Sequence, residues 1–163
     1  MIDLHLATDT ITPNINRRLQ RLRDPRPVLE AMGAAIVSVA ILAFRQAAIR
    51  PSPWQPVKRQ GGVPLYDTGA LRHSIRVISA SSNSVTIGSD RPYAAAHQFG
   101  TRPYVITPKT AKALFWPGAR HPVRKVNHPG LPARPFFPFD ASGTITPEAP
   151  RRVQSAARAK LDP

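Results

Sequence analysis

The sequence predicts an α+β fold, with an antiparallel sheet of short strands packed with a long N-terminal helix and a C-terminal helix. Three observations carry this. Residues 24–49 repeat apolar side chains at helical spacing, residues 74–80 and 85–88 alternate as strands do, and Thr146-Pro147-Glu148 opens a last helical run. The order helix, strands, small helix, strands, helix segregates the helices from an antiparallel sheet. A chain of 163 residues suffices for one core, so the expected division is a basic arm over residues 1–24 and a single α+β domain over 25–163.

The arm gathers Arg17, Arg18, Arg21 and Arg23 around Leu19 and Leu22, a pattern that admits a short amphipathic helix. Asp24-Pro25 reads as a helix start, with Asp as N-cap and Pro at the first helical position, and Pro51 closes the helix. Val28, Met32, Ile36, Val39 and Ala43 form one stripe of this helix, and Val37, Ile41, Phe44 and Ala48 form a second. Both stripes need burial, either in the chain's own fold or against a neighbouring copy. The next stretch, with Trp54 and Lys58-Arg59-Gln60-Gly61-Gly62, is a loop of the kind that is commonly mobile. Residues 74–80 and 85–88 make a β-hairpin across Ser81-Ser82-Asn83, and residues 92–98 make a short helix ended before Gly100. A second hairpin is expected from 112–116 and 123–126, turning at Pro117-Gly118-Ala119-Arg120. The final helix should reach Ala159, carrying Arg151, Arg152 and Arg158. The 19 prolines cluster at the joints between these elements. Ile75, Val77, Val85, Ile87, Tyr93 and His97 are the expected buried set.

With no cysteine, a disulfide framework and a thiolate nucleophile are excluded. The first residues carry neither a basic region nor an apolar one, which points to synthesis in the cytosol. The longest uncharged run, residues 31–44, is short of the ~18–20 residues of a membrane span, so it reads as a buried helix and no membrane partner is expected. Net charge is +14, from 23 Lys plus Arg against 9 Asp plus Glu. Between Asp90 and Asp140 there is no carboxylate, while Arg91, Arg102, Lys109, Lys112, Arg120, Arg124, Lys125 and Arg134 fall there. Such a field attracts polyanions, DNA or an acidic protein surface; the plainer alternative is a solvated basic face. Arg120, Arg124 and Lys125 are the polyanion-contact candidates.

Three segments form a more specific pattern. The first runs from Phe44-Arg45-Gln46 through Trp54 and Pro56 to Leu65-Tyr66-Asp67-Thr68-Gly69-Ala70-Leu71-Arg72-His73-Ser74-Ile75. The second joins Val85-Thr86-Ile87-Gly88-Ser89 to Tyr93-Ala94-Ala95-Ala96-His97-Gln98-Phe99-Gly100. The third is Leu131-Pro132-Ala133-Arg134-Pro135-Phe136-Phe137. In this order and spacing, over residues 40–140, the chain resembles the phage virion morphogenesis family, tail-completion proteins typified by the Mu-type protein G. The resemblance implies a structural protein of the virion, built in the host cytoplasm. It would act at the head–tail junction, as a neck or tail-terminator ring of copies (a hexamer among the sizes admitted) that helps join tail to head. Its partners would then be other copies and the neighbouring neck, connector or tail-tube proteins, with genomic DNA in the channel as a non-specific contact. The resemblance implies no catalytic residue, metal or cofactor. Trp54, Thr68, Gly69, Tyr93, His97, Gln98, Arg134 and Phe136 are the interface or structural candidates. Gly69 and Gly88 would permit turns that a Cβ strains, and Asp67 or Thr68 would cap the short element after Gly69. Tyr93 and His97, four apart, would pack together, and Gln98 would satisfy buried backbone groups. Arg134 beside Phe136 is a pairing common at interfaces. The basic arm and residues 102–130 depart from the family pattern.

Two other classes of function remain readable. Leu65-Tyr66-Asp67-Thr68-Gly69-Ala70 imitates the aspartic-protease motif, in which two carboxylates share a proton. Here a Gly-Gly-Val-Pro stretch precedes it instead of a well-formed apolar strand. The five histidines are scattered without ligand spacing, and Ser74 beside His73 lacks a nucleophile elbow. A free-standing nucleic-acid-binding domain would use the basic span with Tyr104, Phe115 and Trp116, though no known recognition module is present.

Overall fold

In the computed structural model, residues 11–57 and 62–161 are described; the first ten residues of the arm and the loop residues 58–61 lie outside them. The amphipathic segment of the arm is a helix, α1 (Ile11–Arg23). The long apolar helix comes next as α2 (Arg26–Ala43). Prolines 25 and 27 fit its start because no intrahelical donor is lost there. Pro25, not Asp24, occupies the cap position, and the Asp24 carboxylate accepts the Arg26 N–H at 3.2 Å from one residue further out.

The helix ends six residues earlier than its periodicity predicts. The Phe44 N–H bonds back to Ile41, those of Arg45 and Gln46 bond to Leu42, and Ala47–Ile49 is a separate 3-10 turn. Long-range packing decides this end. Phe44 is pulled against Trp54 and Phe136, and the Arg50 Nε donates to the Ala43 carbonyl at 2.7 Å, satisfying a helix-end acceptor.

Each stripe of α2 is buried only in part: Val39 and Ala43 of the first and Phe44 of the second are buried, Val28, Met32, Ile36, Val37 and Ile41 are half-covered, and Ala48 is exposed. Val37, Ala40 and Phe44 join Trp54, Leu71, Ile75, Ala94 and Phe136 in one cluster. Val39 and Leu42 join Ile49 and Ala149 in another. Among the described helices, α2 alone is long and apolar enough to cross a membrane, but it is packed against α5 (Glu148–Leu161), β1 (Ile75–Ala80) and β2 (Val85–Ser89).

Strands β1 and β2 form the expected antiparallel hairpin, with Ile75 opposite Ser89 and Ala80 opposite Val85. An irregularity between Val77 and Ser79 turns Ile78 outward, 59% exposed. A one-turn helix, α3 (Ala70–His73), leads into β1, and α4 (Ala94–Phe99) comes after β2. The second hairpin is not where alternation places it. Residues 112–116 and 123–126 meet only at a Leu114–Val123 bridge. Regular pairing instead joins β3 (Tyr104–Ile106) to β4 (Val126–His128). Pro117 and Pro122 interrupt the inner segments, whereas Tyr-Val-Ile suits a strand. The fold is α+β, with two small antiparallel sheets, a long helix near the N-terminus and a C-terminal helix.

Candidate functional site

The three motif segments meet in space. Trp54 is 8% exposed, edge-on to Phe44 at 5.6 Å between ring centroids, and its indole N–H donates to the Pro135 carbonyl at 2.9 Å. The Arg50 guanidinium lies 3.9 Å over its ring. Phe136 is fully buried, 5.8 Å from Phe44.

Gln98, also buried, ties α4 to this cluster. Its Oε1 accepts the backbone N–H groups of Phe136 and Phe137, each at 3.0 Å, and its Nε2 donates to the Phe139 carbonyl at 2.6 Å. Arg134 is 8% exposed and turned inward. Its Nε reaches the Gln55 carbonyl at 3.0 Å and its Nη2 the Pro56 carbonyl at 3.3 Å. The Arg134 N–H meanwhile donates to the His97 carbonyl at 2.7 Å. Trp54, Gln98, Arg134 and Phe136 therefore knit the chain's own interior, and of the eight cations in the carboxylate-free span Arg134 is withdrawn from solvent.

Beside this knot lies a cleft of about 500 Å³ lined by Tyr66, Asp67, Thr68, Gly69, Tyr93 and His97, among others. Gly69 has φ 78°, where a Cβ is strained, and the Ala70 N–H reaches Thr68 Oγ1 at 3.3 Å. Gly88 plays a different part from the turn expected of it: it has no positive φ, and an added Cβ would lie 2.6 Å from Ile78 Cδ1. At the cleft's rim, Pro64 and Leu65 form a turn closed by Tyr66 N–H to Val63 O at 3.2 Å. Leu65 holds φ 59° where glycine or asparagine is usual.

Tyr93 and His97 do pack edge to face, 5.8 Å apart. Yet Tyr93 is 42% exposed and His97 half-buried, so the expectation that both are largely buried fails. Tyr93 sits at the N-terminal end of α4, where its ring faces the open cleft. Val77, Val85 and Ile87 are likewise only partly covered, while Ile75 is buried. Burial pushes the His97 imidazole below its ordinary value, with the positive Arg134 adding to the shift, and Nδ1 is buried without a partner. Among the described residues, Asp67 is the sole carboxylate lining the cleft, and no group of three or more His, Asp and Glu able to hold a metal occurs. Aspartic-protease chemistry would need a second carboxylate beside Asp67.

The other prominent feature is a finger built on β3 and β4. Tyr104 stacks on His128 at 4.9 Å, and the Thr101–Leu131 bridge closes the base. Toward the tip, the Ala119 N–H bonds to the Trp116 carbonyl at 2.9 Å. Phe115 is 67% and Trp116 46% exposed, and Lys109, Lys112, Arg120, Arg124 and Lys125, in the same excursion between β3 and β4, are all exposed. The motif signal gave no hint of this feature; the run of cations without acids did.

Buried motif residues that make a scaffold, combined with exposed aromatic and basic surfaces that it displays, define an assembly protein. The chain belongs to the phage virion morphogenesis family, whose sequence profile matches residues 6–162. It is 32% identical over 101 residues to the Mu-like prophage FluMu G protein 2 of Haemophilus influenzae, an alignment covering 61% of this chain and 71% of the relative. No solved structure matches. Its role is accordingly structural, in phage virion morphogenesis.

Proposed function

We propose that the chain is a tail-completion protein that closes into a ring at the head–tail junction and helps join tail to head. It works there through contacts with other copies and with the adjoining neck, connector or tail-tube proteins. No catalytic residue takes part, and the protein ends up in the virion after assembly in the host cytoplasm. The basic finger meets a polyanion, either DNA threading the ring or an acidic surface on an adjoining protein.

The observation that carries this reading is the finger: five exposed cations share it with the exposed Phe115 and Trp116, in a span with no carboxylate from 91 to 139. Solubility alone is served by interspersed charge of both signs. The test is to neutralise Arg120, Arg124 and Lys125 together, then measure oligomer mass and head–tail joining separately. Intact oligomers that no longer join heads to tails are the expected result. Normal joining would reduce the finger to a solvated face. A DNA contact would weaken steeply with salt and compete with added duplex. A protein contact would saturate on one head or tail component and ignore duplex.

A free-standing nucleic-acid-binding role is the second reading, supported by the same finger. A purified chain that stays monomeric and binds duplex DNA tightly would favour it.

A further inference from the structure

Two surfaces on different parts of the chain expose apolar side chains. The first is α1, which among the described residues makes no sizeable contact with any other element. A 13-residue helix is marginal on its own in water. Ile15 and Leu19, one turn apart on it, are each 50% exposed.

The second is a groove of about 370 Å³ lined by Ile36 of α2, Ile87 of β2, Phe137, Phe139 and Ile145, and Val153 of α5. It is almost wholly apolar, and Ile145 and Phe139 stand at its rim with 61% and 39% of their surface exposed.

We propose that α1 of one copy lays its Ile15–Leu19 face into this groove on the next copy, so that each subunit is clasped by its neighbour's arm. This rests on the ring reading above and names the contact that would close it.

Charge favours that occupant at the Phe139 end of the groove. α1 carries Arg17, Arg18, Arg21 and Arg23 and no acid. In sequence, Asp140 and Glu148 adjoin the groove residues Phe139 and Ala149, and Arg151 and Arg152 adjoin Pro150 and Val153, so the unmatched acid lies at the Phe139 end. Glu148 is held by Arg152 at 2.6 Å, whereas Asp140 pairs with no cation among the described residues. Hydrogen bonding from Ser142 holds the Asp140 carboxyl below its usual range, so it stays ionised. Symmetry favours it too. Arm and groove are different surfaces, and a head-to-tail contact between unlike patches is what generates a closed ring.

The natural chain has no cysteine, so two introduced thiols report without background. Leu19→Cys and Ile145→Cys, each at an exposed position, are made singly and together in the full chain and oxidised without denaturant. Mixing the two single variants should give a disulfide-linked dimer that neither gives alone. The double variant should give a ladder of covalent multimers. Ile145→Asp should shift the native oligomer to monomer while circular dichroism stays unchanged.

A double variant that crosslinks only within the monomer would place the arm on its own groove and overturn the exchange. No crosslink, with native mass still multimeric and unmoved by Ile145→Asp, would overturn the exchange and leave the ring standing. A wild-type chain that is monomeric by native mass would overturn both.

Discussion

Gln98 Oε1 accepts the backbone N–H of Phe136 at 3.0 Å, across 38 residues of sequence. The same oxygen takes the N–H of Phe137, and the amide nitrogen of Gln98 donates to Phe139. One buried side chain thus supplies an irregular aromatic segment with what a strand partner would have given it. Phe136 can then be fully buried, although its segment belongs to no sheet.

Gln98→Leu should cost about 3 kcal/mol or more, because each buried backbone group left without a partner costs about 1–3 kcal/mol. Urea unfolding followed by tryptophan fluorescence measures it, Trp54 being in the same cluster. Gln98→Glu should recover part of the loss, since a carboxylate still accepts from Phe136 and Phe137. An unchanged midpoint in the leucine variant would mean that the segment is held by packing alone.

His97 predicts a pH dependence. Its imidazole lies below its ordinary value of 6.5, through burial first and the positive Arg134 second. Between the folded value and 6.5 the unfolded chain binds more protons, so stability rises with pH across that window and is lost as pH falls through it. The urea midpoint should therefore drop between about pH 7 and about pH 5, and His97→Gln should flatten the drop. Asp140 does not confound this. Its carboxyl is held below 3.8, so whatever it contributes is present above that value and lost only in a more acidic window.

Gly130→Ala tests how the finger is anchored. Gly130 has φ 89°, and a Cβ there would run into the Thr101 carbonyl oxygen and crowd Arg102. The expected loss is about 2 kcal/mol, and hydrogen exchange should speed up at the Thr101 and Leu131 amides while β1 and β2 stay protected. Gly118, with φ 92° and no atom within 4 Å of a built Cβ, supplies the control. Gly118→Ala carries only the backbone strain and should leave the finger's base unmoved.

The legible part of the sequence is local. The β1–β2 hairpin and α4 can be read because turn residues and periodicity lie within a few positions of each other. The C-terminal helix can be read from its proline and glutamate start. The true end of α2 cannot, because it is set by Phe44 reaching Trp54 and Phe136, contacts that periodicity does not encode. β3 and β4 escape a local reading because they lie on either side of a long, proline-broken excursion. At the site, the order of the motif pieces is readable, but not that they lock together. Arg134 reads in sequence as one of eight cations and, beside Phe136, as an interface candidate; its burial rests on the Gln55 and Pro56 carbonyls that satisfy its donors, contacts across about 80 residues that the sequence does not encode.

The packing of α2 on the first hairpin gives a last prediction, in which two known effects oppose each other. Gly33 is buried on α2, and a Cβ built there lies 2.7 Å from Val85 Cγ2 and 3.0 Å from Val77 Cγ2. Replacing a helical glycine by alanine is worth about 1 kcal/mol in propensity. Forcing a methyl into a filled contact costs about 1–3 kcal/mol. Valine is stiff at χ1, so Val85 has no cheap way to swing aside, and the clash should win. Gly33→Ala alone is expected to destabilise by about 1 kcal/mol. Val85→Ala alone should also destabilise, through lost burial. Together the two should be less destabilising than their sum, because the new methyl occupies space that the valine has vacated. A double-mutant cycle by urea unfolding reads this coupling directly. Strict additivity would mean that α2 and the hairpin do not meet through Gly33.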